Sequence, residues 1–418
     1  MKNIKKDNKV LNVPHLRFKE FSGEWGKYRC SDFLTSFPAN SLSWEMLSYD
    51  GNTQIYNLHY GLIHNGAPTL IDTKKYKLPC INSLNIKNQT QIYNGDVIFA
   101  DASEDTIEIG KCIEFINTNN QIIYSGLHTI HTRDTKDLTV LGFKAFLFQS
   151  NYFHKQVERI TQGTKIYSLN FTNFKELYVN IPNKKEQQKI ATFLTLIDKR
   201  IETQMKIIEE YKSLIRGIRE KLIYKNLKLN KRIRITDIAK CLGGYAFDSS
   251  LYIKNGKYKI ITIGNVTGDE FINISNTNFI DKLPNDIHNY QILKKNDILI
   301  SLTGNVGRVS KVICENCLLN QRVAVLQIIN SSFQDYIYYC LSSKRFENQM
   351  TKCAQGAAQK NINNFDVENF NIPFSDNNNY ILNICNVMKI FYLLLHNNIK
   401  LLDNYNYLKE YLLNNMFI

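Results

Sequence analysis

The chain says nearly the same thing twice. The phrase QGTKIYSLNFTNFKELYVNIP at residues 162–182 returns as QGAAQKNINNFDVENFNIP at residues 355–373, and a long segment with a helical heptad pattern follows each copy. Upstream the echo is weaker: GDVIFADA at 95–102 against NDILISLT at 296–303, and Ile109-Gly110-Lys111 against Val306-Gly307-Arg308. A tandem duplication with one helix per copy predicts pseudo-two-fold symmetry, and with it a target that is read twice.

The first helix is expected after Pro182, with Asn183 as its cap. Its apolar positions alternate by four and three, through Leu194, Ile197, Ile201, Gln204, Ile208, Tyr211, Ile215, Ile218 and Leu222. A mean spacing of about 3.5 residues favours a coiled coil over an ordinary surface helix. Shifted by 194, the second copy gives Met388, Phe391, Leu395, Asn398, Leu402, Tyr405, Lys409, Leu412 and Met416. Polar residues recur at Gln204 and Asn398, as register-fixing seam groups or as tolerated ones at a wet stretch. Two helices of one chain with a globular segment between them pair most simply as antiparallel neighbours. About 40 residues make roughly 60 Å of helix, so the expectation is a rod with a domain at each end.

At 418 residues the chain exceeds what one core normally supports. Of its net charge of +14, +8 falls in residues 183–232, where 14 basic side chains meet 6 acidic ones. That bias points to a polyanion such as nucleic acid, or to a solvated helix face. Nine irregularly spaced cysteines and an opening, MKNIKKDNK, without an apolar stretch predict a reduced, cytoplasmic protein with no secretory leader. No window is apolar enough for a membrane span. Short β-rich runs at 96–99, 258–263, 297–300 and 323–328, punctuated by Asn, Asp, Gly and Ser, give an α+β class. Gly243-Gly244-Tyr245 and Gly304-Asn305-Val306-Gly307 read as tight turns.

The opening VPHLRFKEFSGEW at 13–25, the helix start EQQKIA at 186–191, GYAF at 244–247, QRVA at 321–324 and the paired loops together resemble the DNA specificity subunit of type I restriction-modification systems. The resemblance covers essentially the whole chain. It implies two target recognition domains, 1–182 and 229–375, with spacer helices at 183–228 and 376–418. The subunit is then a non-catalytic reader of a split, asymmetric double-stranded DNA site. It also implies two adenine methyltransferase subunits and restriction/translocase subunits as partners, no membrane, no cofactor bound by this chain, and S-adenosylmethionine, ATP and Mg²⁺ used by the partners. The second helix departs from the first, with NNNYIL at 377–382 in place of KEQQKI at 185–190 and Lys409 on the seam, which leaves open whether both helices dock alike.

A reader of DNA needs cations for phosphates and Arg, Asn or Gln for base edges. Candidates in the first domain are Lys74, Lys75, Lys77, Lys87 within the polar run 85–91, Lys165 and Tyr167. Those in the second are Tyr245, Lys257, Lys259, Arg308, Gln321, Arg322, Gln359, Lys360 and Asn361. Tyr245 is either a wedge against the duplex or a core residue. Cys314-x-x-Cys317 is a lone pair where structural zinc wants four ligands. His128 and His131 would face opposite sides of a strand. Neither a phosphate-cradling GxxxxGK[ST] loop nor a methyltransferase tetrapeptide occurs. Two rivals stand beside this reading: a structural coiled-coil adaptor, and a self-contained nuclease using Asp101, Glu104, Asp105 and Glu108 near Lys111.

Overall fold

The computed structural model describes residues 12–51, 53–81, 89–161, 163, 166–354 and 361–418. It divides into two compact units, Met1–Met205 with Lys400–Ile418, and Lys206–Ile399. Each unit is α+β and takes half of each long helix.

In the first unit the main sheet runs Leu34–Phe37, Thr129–Asp134, Val97–Ala100, Cys112–Asn117, Leu70–Asp72. The first four strands are antiparallel and the last is parallel. Val97–Ala100 is buried along its whole length, as expected of a central strand covered on both faces. A smaller sheet orders Ile122–Ser125, Ile55–Leu58, Cys80–Ile81 and Leu47–Ser48. Gly26–Arg29 pairs with Tyr178–Ile181 just before the first long helix.

The second unit repeats this plan. Its main sheet is Ala239–Gly243, Val323–Ile328, Ile298–Ser301, Val309–Lys311, and its smaller sheet is Asn278–Ile280, Tyr258–Ile261, Cys317–Leu319, Ile292–Leu293. The ribbon Lys231–Arg234 with Asn371–Phe374 again precedes the long helix. The likeness extends to single hydrogen bonds. Asp96 accepts from Tyr93 N at 2.8 Å, and Asp297 from Lys294 N at 2.7 Å. Gly110 N donates to Ala100 O at 3.0 Å, and Gly307 N to Ser301 O at 2.9 Å. Both glycines have positive φ, +72° and +74°, and both lie under a helix: a Cβ would meet Val157 Cγ1 at 3.0 Å in the first unit and Met350 Cβ at 2.7 Å in the second. The repeated glycine therefore serves both the backbone turn and the close approach of Asn151–Ile160 or Lys344–Cys353.

The first long helix is Lys184–Arg219, extended by a π turn at Glu220–Tyr224, and Asn183 caps it through Oδ1 to Glu186 N at 3.0 Å. The second is Asn378–Asn415. All eighteen expected seam positions, nine on each helix, are buried or half-buried. In the first unit Ile190, Ala191 and Leu194 share a buried cluster with Leu412, Met416 and Phe417, while Asp198 meets Lys409. Rising numbers on one helix meet falling numbers on the other, so the pair is antiparallel. In the second unit Arg219 Nη2 donates to Tyr392 OH at 2.6 Å and Asn226 Nδ2 to Tyr380 OH, which again runs antiparallel. Asn398 Nδ2 turns back to Leu394 O of its own helix at 2.8 Å. Among the described residues no helix is long and apolar enough to cross a membrane.

Candidate nucleic-acid interface

In an antiparallel sheet, the end of one strand and the start of the next share an edge. In the second unit that edge gathers Tyr245 after Ala239–Gly243, Leu302 to Gly304 after Ile298–Ser301, Arg308 before Val309–Lys311, and Gln321 and Arg322 before Val323–Ile328. Backbone hydrogen bonds tie these loops together. Gln321 N donates to Tyr245 O at 2.8 Å, Leu302 N to Arg322 O at 3.0 Å, and Ile362 N to Leu302 O at 2.9 Å. Asn361 bridges to Thr303. Ser301 Oγ accepts from Arg308 N at 3.0 Å and donates to Asn305 O at 2.5 Å, closing the loop that carries Arg308.

Gln321, Arg322 and Asn361 are exposed and Arg308 is half-buried, and none of the four side chains has a hydrogen bond or ion pair among the described residues. Tyr245 is half-buried rather than a core residue. Its hydroxyl donates to Asp286 Oδ1 at 2.7 Å, which raises its pKa, and its ring tilts against Phe247 at 4.9 Å. The expected tight turn at Gly243-Gly244 is not found. Gly243 ends a strand and Gly244 continues extended along Asn320, whose carbonyl oxygen would lie 2.1 Å from a Cβ there. The glycine is required by close approach instead of by a turn.

The matching edge of the first unit holds Asp101 and Ala102 after Val97–Ala100, Lys111 before Cys112–Asn117, and His128 before Thr129–Asp134. Tyr167, half-buried on Tyr167–Ser168, pairs with Ala102–Ser103 there. The sequence pattern did not place His128 and Asp101 on this edge, offering them only as metal or nuclease candidates, and it matched Lys111 to Arg308 without naming it a candidate contact. The register with the second copy is the signal that would have found them. Asp101 is hydrogen-bonded to His128, and burial raises its pKa, an effect His128 opposes. Burial and the neighbouring His128 lower the pKa of His59.

Other candidates lie elsewhere. Leu70–Asp72 runs parallel to Cys112–Asn117, so the exposed Lys74, Lys75 and Lys77 follow the opposite end of the main sheet. Lys257 and Lys259 sit at the start of Tyr258–Ile261, over the rings of Tyr258 at 5.1 Å and Phe279 at 5.8 Å. Lys87, Lys165, Gln359 and Lys360 lie outside the described residues. Among the described residues no group of three or more His, Cys, Asp or Glu could hold a metal. Cys314 and Cys317 are free thiols 3.3 Å apart. Of the carboxylates in the nuclease alternative, Glu108 pairs with Lys111 at 2.8 Å and Asp105 caps Ile107 N at 2.9 Å.

Comparison with known proteins gives one family. The model of the type I restriction modification DNA specificity domain matches residues 62–212 and 228–399. The MjaVIII type I restriction enzyme specificity subunit of Methanocaldococcus jannaschii is 26% identical over 233 residues, 51% of this chain and 55% of that one. The MjaIX specificity subunit of the same organism is 25% identical over 231 residues, 49% and 52% of the two chains. The chain thus spans about half the length of these two relatives. The solved S subunit of a type I restriction-modification system from M. genitalium shares the fold, with a TM-score of 0.53 and 16% identity over 97% of this chain and 99% of that one.

Proposed function

The chain belongs to the type I restriction modification DNA specificity family, and from that premise we propose that it reads a bipartite, asymmetric double-stranded DNA site for a methyltransferase and nuclease complex. Residues 1–182 and 229–375 act as target recognition domains, one for each half-site. The helices at 183–228 and 376–418 set the distance between the half-sites. They also dock two adenine methyltransferase subunits, and restriction/translocase subunits join the larger assembly. Methylation and cleavage come from those partners, which bring S-adenosylmethionine, ATP and Mg²⁺. The chain itself supplies position and sequence preference.

The observation that carries this reading is the strand-end edge built twice by the same hydrogen bonds and dressed with different side chains. One backbone frame presents Arg308, Gln321, Arg322 and Asn361 in one unit and Lys111 and His128 in the other. Arginines such as Arg308 and Arg322 neutralise phosphates, and Arg, Asn and Gln are geometrically matched to guanine and adenine edges. A shared frame with unlike side chains suits two unlike half-sites. The test is to map N6-methyladenine in a methylation-free host that expresses the methyltransferase subunit with and without this chain. One split motif, methylated on both strands only when the chain is present, is expected. A folded, partner-bound chain that adds no motif would overturn the reading and favour the adaptor.

A further inference from the structure

His128 occupies the backbone position that Arg322 occupies in the other unit. Thr129 pairs with Ala100 as Val323 pairs with Ser301. His128 O accepts from Asp101 N at 3.1 Å, as Arg322 O does from Leu302 N at 3.0 Å. The next link repeats too: Leu169 N donates to Asp101 O at 2.8 Å, matching the bond from Ile362 N to Leu302 O.

Three features set His128 apart from an ordinary loop residue. Its φ is +56°, a left-handed conformation uncommon for residues other than glycine and concentrated at functional sites. Its imidazole is held on two sides, by Asp101 Oδ1 at 3.2 Å from Nδ1 and by the Tyr60 ring, which meets it edge-on at 5.3 Å. Yet 49% of its side chain remains exposed. It lines a cleft of about 490 Å³ with Ser36, Asp101, Thr129, Ser168 and Asn170. A fixed ring with an open face is what a recognition group needs, because the ordering cost is met before the ligand arrives.

We propose that His128 is a base-reading residue of the first half-site, accepting through Nε2 from the exocyclic amino group of an adenine or cytosine, with Asp101 as its positioning residue. The inference rests on the DNA-specificity reading above. A carboxylate at Nδ1 favours the tautomer that carries its proton there, leaving Nε2 as an acceptor. In the major groove the amino donors are adenine N6 and cytosine N4, whereas the arginine at the equivalent place suits guanine. The two half-sites then differ in base type at equivalent positions.

The experiment maps the methylated motif made by the full chain with its methyltransferase subunit, for the wild type, His128→Gly, His128→Arg, Asp101→Asn and the double variant His128→Gly/Asp101→Asn. Glycine adopts the left-handed backbone freely and carries no group that reads a base, whereas asparagine would itself suit adenine. Expected for His128→Gly is a loss of discrimination of about 2- to 12-fold at one base of one half-site, the worth of one hydrogen bond, with the other half and the spacing unchanged. His128→Arg should move that base toward guanine. Asp101→Asn should weaken the same base, and the double variant should do no worse than His128→Gly alone, which a merely structural aspartate would not produce. An unchanged motif in a folded His128→Gly complex, or equal loss at both halves, overturns the inference while the specificity function stands. Absence of any wild-type motif removes both.

Discussion

Lys409 projects from the seam of the second long helix, and its ammonium lies 2.7 Å from Asp198 Oδ1 on the first. It also donates to Thr69 Oγ1 at 3.2 Å. The lysine at an otherwise apolar seam position is thus paired across the helices. Both partners keep partial solvent contact, so the pair contributes about 1 kcal/mol. Replacing Lys409 with Ala should cost about 1–2 kcal/mol in denaturant unfolding, and Asp198→Asn should cost little more in that background. Fully additive losses would show that the two do not act as a pair.

Asp96 and Asp297 hold the same place in the two units and should titrate in opposite senses. Burial pushes the Asp96 carboxyl up, but hydrogen bonds from Arg133, His131 and Tyr93 N outweigh it and hold it below the usual range. Burial of Asp297 is only partly offset by Lys294, and its carboxyl is pushed up. A depressed value stabilises the fold above the ordinary carboxylate pKa of about 3.9, and that stability is lost as pH falls through the depressed value. A raised value acts the other way, costing stability as pH rises through the interval between the ordinary and raised values. Asp96→Asn should therefore cost about 3 kcal/mol at neutral pH and much less in acid. Asp297→Asn should be neutral or stabilising at neutral pH, with no gain in acid. Unfolding free energies at the two pH values check both signs.

Gly307 and Gly23 both have positive φ, +74° and +85°, but only Gly307 is crowded. Alanine at 23 meets nothing within 4 Å and should cost about 1 kcal/mol for the backbone alone. Alanine at 307 must also displace Met350, and about 2–4 kcal/mol is expected. Thermal and denaturant melts of the two variants provide the comparison, and equal losses would mean that the helix Lys344–Cys353 yields easily.

If the helices act as a ruler, inserting seven residues, one heptad, between Ile201 and Ile208 should lengthen the spacer and leave each half-site unchanged. Motif mapping reads both quantities at once. A changed half-site sequence would show that the helix shapes the recognition domains rather than spacing them.

Much of this architecture is legible in the sequence because periodicity is a local signal. The heptad alternation located both long helices and picked out positions on them that are buried or half-buried, and the β-rich runs at 96–99 and 297–300 foretold the strands Val97–Ala100 and Ile298–Ser301. The repeated Gly-Lys and Gly-Arg steps located Gly110 and Gly307 before their crowding was known. Side-chain destinations were less accessible. Lys74, Lys75 and Lys77 stand out as charge, yet the parallel direction of Leu70–Asp72, a long-range pairing, carries them away from the strand-end edge. His128 shares no phrase with Arg322. Their equivalence follows from strand register, which a comparison of short motifs does not capture.

The central claim is that each strand-end edge reads its own half-site. Its most direct test is the methylated motif of the chain carrying Arg308→Ala and Arg322→Ala together, mapped genome-wide beside the wild type with the same methyltransferase subunit. The account predicts a motif relaxed in one half by about 1–3 kcal/mol of discrimination per lost base contact, with the other half and the spacer intact. An unchanged motif, or equal relaxation of both halves by a folded and assembled variant, would contradict it.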